Sequence, residues 1–280
     1  MSTMRHSMAS EPNENVADWT NRYLKKNNRD FFRDALKALA EKRLGNQGIG
    51  VIGLVGQTDL PGYTLRTAQS VLRWDRRPSL WSHAFLIAAP VPARITDVPI
   101  WEVALHPRSG EIPMPEKNGV SESRLGFYDD PTVDANVALL AVRMTDSEAR
   151  KVVERARQPN VDRLRYSLWD CLGVWQSYMW SQAVRPNPLS EGYPICSSSY
   201  VEMAFEAIHL DLTPAASERN SAPEHLWNAA LWWHEAYRDL KHPISGYYVH
   251  RNKQCYLRDA GSVELRDHLG NFGKRSPRKR

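Results

Sequence analysis

Three side chains of this sequence could together attack a carbonyl group: Cys196, His83 and Glu102. Cys196 heads the run CSSSYVEMAF, in which Val201, Ala204, Phe205 and Ile208 mark the buried stripe of a helix. The sulfur therefore falls at a predicted helix N-terminus, where partial positive charge and unpaired N–H groups stabilise the reactive thiolate. Backbone N–H groups at Cys196 and Ser197 could also receive the oxyanion formed when sulfur adds to a carbonyl. Three serines, Ser197 to Ser199, keep the first turn small. The alternative for Cys196 is a buried cysteine packed as a small hydrophobe.

Such a thiol needs a base, and the choice among nine histidines rests on local context. His83 opens the apolar run HAFLIAA in phase with Phe85 and Ile87, so it faces the interior or a cleft wall rather than water. Read in isolation, it could equally be a hydrogen-bonded core histidine. Glu102 is embedded in IWEVAL, where an unpaired charge would cost several kcal/mol, so it should have a partner. If the two strands are neighbours, Glu102 could accept the second imidazole N–H of His83 and fix its tautomer. His106, on the same strand face by the two-residue period, is the rival for that orienting role.

The elements that must position these residues can be read from periodicity. Residues 1–18 are polar and aperiodic and read as a flexible leader. From Asp30, the spacing of Phe32, Leu36, Leu39 and Ala40 predicts a helix ending near Gly45. Residues 49–55 read as a buried strand, and 62–75 as a short helix or ordered loop. Strands at 83–89 and 99–106 form an expected antiparallel pair. A strand at 136–143 passes through Thr145-Asp146 into a capped helix. The stretch 106–135, rich in proline, glycine and charge, reads as a long surface loop. A last helix is expected from about Pro223 to Leu240, with proline in its first turn. The division that follows is a leader at 1–18, a catalytic domain at 19–242 and an extension at 243–280. The pattern implies an α+β fold with an antiparallel sheet packed against helices.

Bulk composition is ordinary for a globular protein: 280 residues, 42% hydrophobic and 25% charged. There is no run of about 20 apolar residues and no secretory signal pattern, so synthesis in the cytoplasm is expected. Three cysteines, Cys171, Cys196 and Cys255, support neither a disulfide framework nor a zinc-ligand pair. The formal charge of +5 is concentrated in the terminal KRSPRKR, which reads as a solvated tail, although it could touch a membrane surface or an anionic polymer. Nucleic acid is not an expected partner. Most of the ten tryptophans fall in apolar segments and read as core, a few as cleft lining.

The order SHAFLI, WEVA, ALLAVR, ICSSSYVEMAF and then SAPEHLWNAA resembles the circularly permuted branch of the NlpC-type papain-like cysteine hydrolases, over roughly residues 49–240. The resemblance implies a permuted papain-like fold with Cys196 as nucleophile, His83 as general base and Glu102 as third member. Tyr166 resembles a tyrosine near the cleft of relatives, with simple packing as the alternative reading. At position 198 the chain has a serine where the family usually carries an acidic residue.

What the resemblance implies is hydrolysis of an amide, peptide or ester bond through an acyl-enzyme, with no metal or organic cofactor. Peptide stems of peptidoglycan are the first expected substrate. Joined to the missing signal, this suggests an antibacterial effector toxin delivered by a specialised secretion apparatus and neutralised by an immunity protein. Two alternatives from other classes are a lipid-acyl hydrolase, thioesterase or acyltransferase, and an inactive binding module.

Overall fold

A computed structural model of the chain describes residues 27–41, 47–87, 97–104, 120–130, 133–158, 196–214, 216–236 and 244–251. Its centre is a six-stranded antiparallel sheet: β1 (Gln47–Gln57), β2 (His83–Ile87), β3 (Pro99–Val103), β4 (Val120–Arg124), β5 (Asp134–Thr145) and β6 (Ile244–Arg251), in the order β4-β3-β2-β1-β5-β6. Among the described residues five helices accompany it: α1 (Asn28–Glu41), α2 (Leu60–Ala68), α3 (Asp146–Arg157), α4 (Ser197–Glu206) and α5 (Pro223–Ala236). The protein is thus a mixed helix-and-strand fold built on an antiparallel sheet.

Strand alternation divides the interior in two, because successive side chains point to opposite faces. One face carries Val51, Val55, Phe85, Ile100 and Val137 and packs against Phe31, Phe32 and Leu36 of α1. The opposite face carries Ile52, Leu54, Leu86, Trp101 and Leu140 and packs against residues of α3, α4 and α5. The glycines of β1 let neighbours lie on the central strand. A Cβ at Gly53 would come within 2.1 Å of the Phe85 ring, and one at Gly56 within 1.9 Å of the Leu80 carbonyl oxygen.

Helix starts are fixed as their sequences lead one to expect. Asp59 caps α2 by accepting from the Gly62 N–H, with Pro61 in the first turn. Thr145 and Glu148 form a reciprocal capping box at the start of α3. The ambiguous segment 62–75 contains α2 followed by a 3₁₀ turn at Gln69–Leu72.

Two expectations are corrected. The stretch 106–135 is not all loop: it contains the edge strand β4, a buried 3₁₀ turn at Leu125–Tyr128 and the start of β5. Polar residues on β4 hid it, since an edge strand need bury little. Residues 244–251 do not lie beyond the domain, because β6 pairs with β5 and extends the sheet. The tryptophans also divide: Trp81, Trp101 and Trp227 are buried, whereas Trp74 is 94% exposed and Trp232 about half exposed at 55%. The leader, the end of the chain after 251, and the residues Cys171, Cys255, His106 and Tyr166 lie outside the described residues. Among the described residues no helix is long and apolar enough to cross a membrane.

Candidate functional site

Strands β2 and β3 pair at Leu86 with Trp101 and at Ile87 with Ile100, and they part towards the His83 end. The N-terminus of α4 enters this fork. There the Ala84 N–H donates to Ser197 Oγ at 3.1 Å instead of to a β3 carbonyl. One residue back from that bond stand His83 on the strand side and Cys196 on the helix side. Bond lengths alone hold their Cα atoms within about 12 Å of one another. The two residues approach from different sides: His83 shares the Phe85 face, whereas Cys196 packs with the cluster beneath α3, α4 and α5.

Cys196 is the N-cap residue of α4, with extended backbone angles of −81° and 160° and no side-chain capping bond. Its thiol is buried and not part of a disulfide. The first helical bond runs from the Tyr200 N–H to the Cys196 carbonyl at 3.0 Å. The earlier N–H groups of an α-helix have no partner within the helix, which leaves the first turn able to receive negative charge. The serines do more than keep this turn small. Ser198 Oγ donates to the Ser221 carbonyl at 2.6 Å and Ser199 Oγ to the Arg219 carbonyl at 3.1 Å, while Ser197 takes the β2 N–H. Together they pin the helix start on two sides.

The strand side is equally fixed. Before His83, Ser82 Oγ accepts from the Gln57 N–H and donates to the Val55 carbonyl. Ser79 Oγ donates to buried Glu224 at 2.6 Å and accepts from the Trp81 N–H. His83 then presents Nε2 to Glu102 Oε2 at 2.8 Å, with both side chains buried. A carboxylate partner at Nε2 means that this nitrogen carries the proton, so Nδ1 is the nitrogen left for proton transfer.

Burial pushes the Glu102 carboxyl upward, but the hydrogen bond and charge of His83, with hydroxyl donors from Tyr128 and Ser123, outweigh it and hold the group below its ordinary value. Its charge reaches α4: the Tyr200 hydroxyl is pushed up by burial and by Glu102. A second buried carboxyl on that helix behaves oppositely. Glu202 accepts from the Leu212 N–H and the Thr213 hydroxyl, yet burial raises it to about 7.

No family model, curated protein or solved structure matches the chain. The site therefore rests on its own geometry. Of the residues singled out by sequence, the structure joins His83 to Glu102 directly, and the Ala84–Ser197 bond ties the residue after His83 to the residue after Cys196. The sequence reading missed Tyr128, whose hydroxyl donates to Glu102 Oε2 at 2.5 Å, and Ser123 on β4. The available signal was slight: Leu125 and Tyr128 are apolar residues three apart inside a polar stretch. Among the described residues no cluster of three or more His, Cys, Asp or Glu side chains could hold a metal ion.

Proposed function

We propose that this chain is a cysteine hydrolase of circularly permuted papain-like type. The carrying observation is the pair of bonds in the β2–β3 fork: His83 to Glu102, and Ala84 to Ser197, which ties the first turn of the Cys196 helix to the residue after His83. An antiparallel sheet, a cysteine at the head of a helix packed on it, and histidine and acid on adjacent strands also support this reading.

In the reaction, the Cys196 thiolate adds to the substrate carbonyl carbon and forms a C–S bond. Helix-terminal N–H groups receive the oxyanion. His83 holds the proton taken from sulfur and delivers it to the leaving amine or alcohol as the acyl bond breaks. A water, deprotonated by His83, then cleaves the thioester and regenerates the thiol. Glu102 keeps the ring oriented and stabilises the imidazolium throughout.

The first substrate class is the peptide stem of peptidoglycan, supported by the family resemblance; an exported antibacterial role with an immunity partner follows from the same reading. Purified peptidoglycan incubated with wild type and with Cys196→Ala tests it. Release of stem fragments by wild type alone is expected, and equal release by both would overturn it.

One observation favours a lipid-acyl substrate as the second reading. Trp74 projects from a turn whose Arg76 and Arg77 are also exposed, residue types that settle at an anionic membrane interface. Acyl release from anionic vesicles, lost in Trp74→Ala, is the result that would select it.

A further inference from the structure

Behind the His83–Glu102 pair lies a group of residues drawn from the 3₁₀ turn after β4, from β2 and from α1. Tyr128 ends the 3₁₀ turn after β4, is 2% exposed, and donates its hydroxyl to the same Glu102 oxygen that receives His83 Nε2. Its ring stacks on the imidazole, with centroids 5.9 Å apart at 28°, and on Phe85, at 5.1 Å and 9°. The tyrosine is itself held from α1. Asn28 Nδ2 donates to the Tyr128 carbonyl at 3.1 Å and to the Asp134 carbonyl at 2.8 Å, joining the 3₁₀ turn to the start of β5. The chain of contacts runs from the N-terminal helix through Tyr128 to the carboxylate.

We propose that Tyr128 is a positioning residue of this site: its hydroxyl orients the Glu102 carboxylate towards His83, and its ring backs the imidazole so that Nδ1 is presented at the fork. The proposal rests on the hydrolase reading. Two donors converging on one oxygen fix the carboxylate plane, which a single imidazole contact would leave free to rotate. A flat ring stacked on the histidine restricts its χ2 without competing for a ring nitrogen. Charge-assisted donation to Glu102 also favours the ionised form that the imidazolium requires.

The test is the rate of Cys196 alkylation by iodoacetamide as a function of pH, read by mass spectrometry on the Cys196 peptide so that the other cysteines do not interfere. Tyr128→Phe keeps the ring and removes the donor. The rate at neutral pH should fall about tenfold, the scale of losing a supporting hydrogen bond behind a functional group. The acidic limb of the profile should move to higher pH, because Glu102 loses a donor that holds its carboxyl down. In Glu102→Gln, adding Tyr128→Phe should produce no further change, since the hydroxyl acts through the carboxylate. Should Tyr128→Phe fold poorly, 3-fluorotyrosine at position 128 retains the shape with a more acidic hydroxyl, and the acidic limb should move to lower pH. An unchanged profile in Tyr128→Phe or with 3-fluorotyrosine, or losses that simply add in the double variant, would overturn the role of Tyr128 alone. A wild-type Cys196 that reacts like an ordinary thiol at every pH would overturn the hydrolase reading and this proposal with it.

Discussion

Glu102 and Glu202 are each only 2% exposed, yet one is held below the ordinary carboxyl range and the other rises to about 7. Both feel burial, which disfavours charge. The difference lies in their partners: Glu102 meets an imidazole with two hydroxyl donors, whereas Glu202 meets the hydroxyls of Thr213 and, at 3.5 Å, Ser221, one backbone N–H and the unfavourable charges of Asp211 and Glu218. Burial alone therefore does not set the direction of a carboxyl's shift; the imidazole and hydroxyl donors beside Glu102 reverse it.

The most damaging change should be Glu102→Gln. It keeps the shape but removes the charge, and Cys196 alkylation at neutral pH should fall by up to about 30-fold, to the small thiolate fraction of an ordinary thiol with a pKa of about 8.5. Glu202→Gln should leave that rate near wild type, and a comparable loss would erase the distinction between the two carboxyls.

Glu202 should instead govern stability. Its raised pKa means that the folded state binds more protons than the unfolded one between about pH 4.5 and 7, so its contribution is present below that window and lost as pH rises through it. The loss amounts to up to about 3 kcal/mol. Glu102 has the opposite sign: its contribution is present above the ordinary carboxyl value and is lost as pH falls through the depressed one. Denaturant unfolding from pH 4.5 to 8 should show the decline in wild type relative to Glu202→Gln; parallel curves would contradict it.

A smaller effect separates the two faces of the sheet. Gly53→Ala would drive a methyl into the Phe85 ring that backs the site, costing about 1–3 kcal/mol, whereas Gly50→Ala meets first the flexible end of Met144 and should cost less. Thermal unfolding of the two variants orders them. Least of all, Trp74→Ala on the exposed turn should change stability by no more than about 0.5 kcal/mol.

Much of the scaffold was legible in sequence because periodic burial leaves a pattern. Apolar runs marked β2 and β3, helical spacing marked α1 and α4, and Thr145-Asp146 marked a cap. Cys196 was legible as the head of a helix, and Glu102 as a charge too buried to stand alone. Tyr128 was not, because its role depends on a tertiary approach between a 3₁₀ turn and a strand 26 residues away. Nor was β4, whose run VSESR leaves no apolar alternation. The work of Ser197 is hidden for a related reason: a serine that fills a missing sheet bond has the same local sequence as one facing water.

The central claim is that the Cys196 sulfur and the His83 imidazole act as a pair. The alkylation rate of Cys196 as a function of pH, compared between wild type and His83→Gln, tests it most directly. The account predicts a thiolate that persists in wild type well below the ordinary thiol value of about 8.5 and returns towards that value in the variant. Superimposable profiles for the two proteins would contradict it.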